Sequence, residues 1–289
     1  MPNIIGILGG TGAEGRGLAK RFVQAGHPVI LGSRQAERAQ STADEINVEL
    51  GSSLASGAEN AEAARAAELV ILALPYAGIT EALRPFAASL AGKTLISAVV
   101  PLEFVAGSPR PLPVAEGSAA QELQAMLPNT QLIGAFHHVS APTLSDLNRP
   151  IGADVLVCGD NPEARRSVVA LAEELWGVRG IDAGPLECAG PIEAFTAVLL
   201  RINRRYKAHA GVLITDLPEP PAAAALTRSS QYSLRPLPGG EAAARVHIPP
   251  GGVAAAGAHI PPGGEAAARA HIPPGGEATA RAHIPTNDP

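Results

Sequence analysis

Residues 4–8 read Ile-Ile-Gly-Ile-Leu and run directly into Gly9-Gly10-Thr11-Gly12-Ala13-Glu14-Gly15-Arg16-Gly17, followed by Leu18-Ala19-Lys20-Arg21-Phe22. No other stretch restricts the fold as strongly. A short uncharged apolar run reads as a strand buried on both faces. The glycines read as a tight turn, and the residues after them as the opening of a helix. Gly10, Gly12 and Gly15 satisfy the G-x-G-x-x-G pattern of dinucleotide-binding turns. Each has its own expected job: Gly10 permits the sharp turn, Gly12 lets the backbone approach a pyrophosphate, and Gly15 lets the helix press onto the strand. The helix N-terminus then presents unpaired N–H groups and a positive dipole end to the phosphates. Glycine-rich turns also occur for structural reasons alone, but a strand before and a helix after favour the phosphate-binding reading.

The second strand, Pro28-Val29-Ile30-Leu31, determines which dinucleotide fits. A site for NAD places Asp or Glu at the end of that strand to accept from the ribose 2′-hydroxyl. This chain has Gly32-Ser33-Arg34 there. A carboxylate repels a 2′-phosphate, whereas the Ser33 hydroxyl donates to it and the Arg34 guanidinium forks onto it. Thr11 adds a hydroxyl from the glycine turn, and Arg38 stands one helical turn beyond Arg34. A merely solvated basic helix start leaves the missing acid unexplained, so the sequence selects NADP over NAD.

Downstream, apolar runs alternate with helical spacing, which predicts an α/β fold: a Rossmann-type doubly wound, mainly parallel sheet. Helices are expected over residues 35–50, 60–67, 79–90, 118–127, 163–175 and 191–211. Strands are expected over 68–75, 94–97, 131–136, 154–157 and 180–182, with a weak one near 53–55. Pro75 falls at the carboxyl end of an interior strand, the edge where such sheets bind ligands, and is assigned to the cofactor site. Residues 99–113 are proline-rich and read as an irregular loop, functional or mobile. The strand near 131–136 leads into His137-His138-Val139-Ser140-Ala141. Neighbouring strand residues face opposite ways, so the two histidines cannot share a pocket if the strand continues. Asp160 reads as the cap of the helix starting near Pro162. Cys158 reads as a small core residue, and Arg201, Arg204, Arg205 and Lys207 as a solvated basic face.

Composition narrows the function classes. With 289 residues, the chain holds a full doubly wound domain and a smaller unit. A net charge of −5 argues against nucleic acid as the main partner. No uncharged apolar run approaches the roughly 20 residues that span a bilayer. Two cysteines, and a strand where a signal peptide would carry its charged start, lead to the expectation of a cytoplasmic protein. No metal-ligand pattern is present.

Several segments together resemble the NADP-dependent reductases of coenzyme F420: Gly9-Gly10-Thr11-Gly12 through Gly17-Leu18-Ala19, Gly32-Ser33-Arg34, Ser118-Ala119-Ala120, Ala135-Phe136-His137, Cys158-Gly159-Asp160 and Asp182-Ala183-Gly184-Pro185-Leu186. The resemblance runs in order over about residues 3–215. It implies hydride transfer between C4 of NADP(H) and C5 of the deazaflavin ring, with F420 as co-substrate. The deazaflavin behaves as a two-electron carrier, so the family needs no metal, flavin or radical chemistry. By family position His137 is the catalytic candidate, Thr196 on the last helix matches a family threonine, and the backbone at 97–101 forms one wall of the second site. The resemblance also implies a homodimer, with the final helix as interface. Where the family often reads His-x-Ile-Pro-Ala, this chain reads His137-His138-Val139-Ser140-Ala141.

The expected organisation is an NADP-binding domain over residues 1–150, a smaller C-terminal α/β part over 151–216, and a low-complexity tail over 217–289. In the tail, His-Ile-Pro-Pro-Gly-Gly begins at His247, His259 and His271, with a truncated copy at His283. Each twelve-residue unit offers one Ile and a few alanines, too little apolar surface to offset chain entropy, so the tail is expected to be disordered. Two alternatives stay open on the residues alone: an NADPH-dependent reductase of another small acceptor (a flavin, ferric chelate or imine), and a non-catalytic NADP-sensing module.

Overall fold

The computed structural model describes residues 3–217; the repeats, and the disorder expected of them, fall outside the described residues. Eight strands form one sheet in the order β10-β9-β8-β5-β4-β1-β2-β3. In chain order the first elements are β1 (Ile5–Leu8), α1 (Ala13–Gln24), β2 (Val29–Ser33), α2 (Ala36–Leu50), β3 (Ala55–Glu59), α3 (Asn60–Ala66), β4 (Leu69–Leu72), α4 (Ile79–Leu83) and β5 (Thr94–Ser97). Then come β6 (Leu102–Val105), β7 (Ser108–Pro111), α5 (Ala119–Met126), β8 (Gln131–Gly134), α6 (Ala141–Ser145), β9 (Ala153–Cys158), α7 (Pro162–Glu173), β10 (Val178–Gly184) and α8 (Ala189–Tyr206). The run from β3 to β8 is parallel. β9 turns antiparallel to β8 through the single pair Gly134–Cys158, and β10 runs parallel to β9.

The doubly wound architecture follows from the strand sequences. β1 and β4 are apolar at every buried position, as strands covered on both faces must be. Alternation divides the core: Ile5, Ile7, Leu69 and Ile71 pack on one face, and Leu8, Val70 and Leu72 on the other. Strand order reverses at β1, because β2 and β4 flank it on opposite sides. A crevice opens at that switch point, outside the carboxyl ends of the strands.

Three elements differ from the sequence reading. The weak strand near 53–55 is β3, shifted to 55–59, where Gly57 lies so close under α2 that a Cβ would stand 2.0 Å from the Gln40 nitrogen. The helix expected over 79–90 is a short α4 followed by a 3-10 turn over Arg84–Leu90, kinked at Phe86 behind Pro85. The proline-rich segment 99–113 contains a two-stranded hairpin, β6–β7, turned through Ala106 and Gly107, both with positive φ. It is tied down by α8: the Arg201 guanidinium donates twice to the Pro109 carbonyl, and Arg204 donates to that of Gly107. The four basic residues are exposed, and two of them, Arg201 and Arg204, also hold the hairpin.

The C-terminal edge is fixed by buried charge. Arg179 on β10 donates to both carboxylate oxygens of Asp154 on β9 and to the Ile214 carbonyl. Asp154 also accepts from the Ile214 N–H, so the segment after α8 is sewn onto this edge. Across the molecule, Arg21 of α1 donates to the carbonyls of Thr143, Leu144, Asp146 and Arg149. Gly17 makes that approach possible, since a Cβ there would meet Leu144 at 2.6 Å. These contacts hold α6, and the histidine turn before it, against α1.

Candidate functional site

The start of α1 borders two clefts: Gly12 lines one and Glu14 the other. The first, about 410 Å³, lies at the switch point and brings together Thr11, Gly12, Ser33, Arg34, Arg38 and Pro75. Ser33 ends β2, its Oγ accepting weakly from the Gln35 N–H. Arg34 and Arg38 are exposed, and among the described residues neither guanidinium has a hydrogen bond or ion pair. Two unengaged planar cations beside hydroxyls, with no carboxylate in the lining among the described residues, form a donor set for a phosphate dianion.

The glycine turn divides its labour differently from the expectation. The left-handed backbone sits at Gly9, with φ +80°, one residue before Gly10. Gly10 is demanded by space, because a Cβ would meet the Ile7 carbonyl at 2.9 Å and Leu31 at 3.0 Å. Its N–H goes to the carbonyls of Ile7 and Gly32, and it does not line the cleft. At Gly15 the helix presses onto the turn itself, a Cβ there standing 2.5 Å from the Gly9 oxygen. It lies beneath the cleft and does not line it. Asn60, absent from the sequence reading, receives the Gly9 N–H on Oδ1 and lines the cleft. Its only signal was its place at the start of a short helix behind β3.

The second cleft, about 330 Å³, collects Glu14, Ala98, Val100, Leu102, residues 136–142, and Thr196, Leu199, Leu200 and Asn203 of α8. β8 stops at Gly134, and Phe136 takes φ +67°, a conformation rare for a bulky residue. Phe136 is fully buried and meets Phe22 edge to face, which holds the turn. Because the strand does not continue, His137 and His138 both line this cleft.

The two histidines are unlike in their contacts. His138 puts Nε2 3.0 Å from the Asp154 carbonyl, so that nitrogen carries its hydrogen and the ring bridges the turn to β9. His137 is buried with neither ring nitrogen partnered among the described residues. Desolvation, and then His138, push its pKa down to about 3, so it is a neutral imidazole across the physiological range. Thr196 donates from Oγ1 to the His137 carbonyl at 2.9 Å, fixing the turn from α8.

Other assignments sort out plainly. The cap of α7 is Asn161, whose side chain accepts from the N–H groups of Glu163 and Ala164. Asp160, expected in that role, accepts instead from the Leu186 N–H, because Pro162 at the first helical position moves the cap one residue on. Cys158 is a core thiol that burial pushes up to about 12. Among the described residues no group of His, Cys, Asp and Glu can hold a metal ion, and no helix is long and apolar enough to cross a membrane.

Residues 4–101 match the family described as NADP oxidoreductase coenzyme F420-dependent. The F420-dependent NADP reductase of Methanocaldococcus jannaschii is 39% identical over 220 residues, covering 74% of this chain and 98% of the relative. The chain belongs to the F420-dependent NADP reductases. The family's enzyme from Methanothermobacter marburgensis is also 39% identical, over 222 residues covering 74% of this chain and 99% of the relative. A solved structure of a putative F420-dependent NADP reductase from Arthrobacter sp. FB24 is 27% identical with a TM-score of 0.64, covering 74% of this chain and 99% of that one. The residues matched by the family take in every residue that lines the first cleft of this reductase.

Proposed function

We propose that the chain catalyses hydride transfer between C4 of NADP(H) and C5 of the deazaflavin ring of coenzyme F420. Family membership gives the reaction, and one observation carries it to these residues. The start of α1 borders both a cleft with unengaged guanidinium groups and a cleft with a neutral, unpartnered imidazole. The first suits a dinucleotide with a 2′-phosphate and the second suits a flat ring with hydrogen-bonding edges.

In the first cleft, Arg34 and Arg38 pair with the 2′-phosphate while Thr11 and Ser33 donate hydroxyl hydrogens to it. Gly12, with only the Gly9 oxygen within 3.3 Å of where a Cβ would stand, leaves its backbone open to the pyrophosphate at the α1 N-terminus. Gly10 and Gly15 act from beneath by letting strand and helix close on the turn, and Pro75 walls the side. In the second cleft, His137 presents a hydrogen-bonding edge to the ring, Thr196 holds the His137 turn, and the apolar Val100, Leu102, Leu199 and Leu200 exclude water. When bound, the two cofactors supply the chemistry themselves, a two-electron hydride transfer. The protein's share is orientation and electrostatics.

The division of residues into 1–150 and 151–216 fits this assignment, the parallel run lying in the first and the reversed pair β9–β10 in the second. A homodimer through α8 is supported by the exposure of Phe195, Val198 and Tyr206 on that helix and of Phe104 on the hairpin. A cytoplasmic location fits the two unpaired thiols.

A spectrophotometric assay with NADPH and F420, against free flavins and a ferric chelate as control acceptors, tests the reading. Rapid reduction of the deazaflavin alone is the expected result. Reduction of a control acceptor in its place would assign the second cleft to that chemistry.

A further inference from the structure

The hydride transfer described above leaves one group of the second cleft without a task. Glu14 stands in the first turn of α1, where an acidic side chain ordinarily reaches solvent and gains from the helix dipole. Here the residue as a whole is half-buried, yet Oε1 is sealed from solvent and has no partner among the described residues. Among the described residues the only other titratable groups lining the cleft are His137 and His138, from the turn after β8. α8 contributes Thr196, Leu199, Leu200 and Asn203, and the stretch from β5 into the hairpin contributes Ala98, Val100 and Leu102. His137 is neutral and His138 is engaged with the Asp154 carbonyl, so the lining offers no cation to pair with a carboxylate. With Oε1 sealed, and with neither a cation nor a hydrogen-bond donor among the described residues on either oxygen, the carboxyl favours its acid form, and the dipole of the helix end is the smaller effect.

We propose that Glu14, held in its acid form, is the proton donor of the second cleft. The inference rests on the reading that the second substrate is a ring reduced at carbon by NADPH. Such a reduction consumes one proton. The dihydronicotinamide C4–H bond breaks with its electron pair, and a C–H bond forms on the acceptor ring. The pair displaced onto the ring's nitrogen and carbonyl edge takes the proton as the Glu14 O–H bond breaks. Water then restores the Glu14 proton, and in the opposite direction the carboxylate receives it. Desolvation raises the Glu14 pKa to about 8, which leaves the acid form dominant at neutral pH while still able to ionise.

Glu14→Gln keeps the shape and a hydrogen-bond donor but has no transferable proton. The first measurement needs no substrate: infrared spectra of the full-length protein with isotope-labelled glutamate, near neutral pH. A protonated-carboxyl band present in the wild type and missing from Glu14→Gln is expected; its absence from the wild type overturns the proposal. Thermal melts give a second substrate-free readout. A raised carboxyl pKa contributes stability that is complete below its ordinary value of 4.5 and is lost as pH rises through about 8. The wild type should therefore lose stability relative to Glu14→Gln across that window, and parallel curves would count against the proposal.

Single-turnover F420 reduction by NADPH is the third arm. Glu14→Gln should be slowed by roughly 10²-fold or more with NADPH affinity intact. The wild-type rate of F420 reduction should fall above about pH 8, and the variant should lack that limb. Equal rates and profiles in the two proteins would remove Glu14 from proton transfer. A wild type unable to reduce F420 at all, yet showing the carboxyl band, would instead remove the reading beneath the proposal.

Discussion

The two clefts at the start of α1 treat charge in opposite ways. In the first, Arg34 and Arg38 are exposed and unengaged, cations kept in water until an anion arrives. In the second, both unpartnered ionisable groups are held neutral: burial pushes His137 down to about 3 and Glu14 up to about 8. A phosphate dianion is recognised by fixed positive charge, which costs little while it stays solvated. A ring that must exchange hydride needs a dry wall, and there an uncompensated charge would be expensive. The same helix start thus serves a wet, charged subsite and a neutral one.

The largest expected effect comes from breaking the scaffold of the second cleft alone. Arg179→Ala takes the guanidinium away from the fully buried carboxylate of Asp154, the residue whose backbone carbonyl accepts from His138. Loss of one partner of a buried pair costs about 3–5 kcal/mol, measurable by denaturant titration. NADP(H) affinity of the folded fraction should stay at the wild-type level, because Arg34 and the glycine turn lie on other strands. A parallel loss of affinity would show that the clefts do not stand independently.

Next in size is the converse variant. Arg34→Ala should weaken NADP(H) binding by roughly 1.5–3 kcal/mol, about 10- to 150-fold, by removing one charge-assisted pair with the 2′-phosphate. NAD(H) binding, followed by the same fluorescence titration, should hardly change. Equal weakening of both would mean that Arg34 acts through the backbone of the β2–α2 turn.

The contrast also explains how much of each cleft was legible in the sequence. Most of the first is carried by one local run: a buried strand, a glycine turn, and the absence of an acid after β2. Each is a statement about neighbouring residues, and Thr11, Gly12, Ser33, Arg34 and Arg38 do meet. Even there, the exchange of roles between Gly9 and Gly10 was hidden, since only the fold shows which glycine carries positive φ. The second cleft is assembled from segments scattered between residues 14 and 210, and proximity of that kind leaves no period to read. The family resemblance supplied His137 and Thr196; Glu14 gave no signal beyond filling a variable place between glycines. The hairpin at 102–111 was masked by its prolines, which sit at a two-stranded edge where a missing N–H is tolerated.

A smaller effect, confined to acid, tests the neutrality of the second cleft. A histidine with a depressed folded pKa contributes stability that is present above its ordinary value of 6.5 and is lost as pH falls towards about 3. His137→Ala should flatten the fall of melting temperature with decreasing pH in that window. The same variant should reduce F420 turnover while leaving NADPH affinity intact. Unchanged turnover in a well-folded variant would turn attention to His138, whose nitrogen is otherwise committed to Asp154.

The smallest effect separates holding a turn from touching a substrate. Thr196→Val keeps the side-chain shape but deletes the 2.9 Å hydrogen bond to the His137 carbonyl. That bond is worth about 0.5–1.5 kcal/mol net, a modest shift in a denaturant midpoint. Its proton is already spent on the carbonyl, so towards a ring the Thr196 hydroxyl has only lone pairs to offer. If Thr196 acts by holding His137, the valine variant should lower F420 turnover and carry that loss through every deazaflavin analogue alike. It should also add nothing further to His137→Ala, because the two changes act on one element. If the hydroxyl accepts from the ring, the losses should be additive and should depend on which analogue retains a donor. A double-mutant cycle on turnover, with stability measured on the same samples, distinguishes these outcomes, and full additivity would move Thr196 from the turn to the substrate.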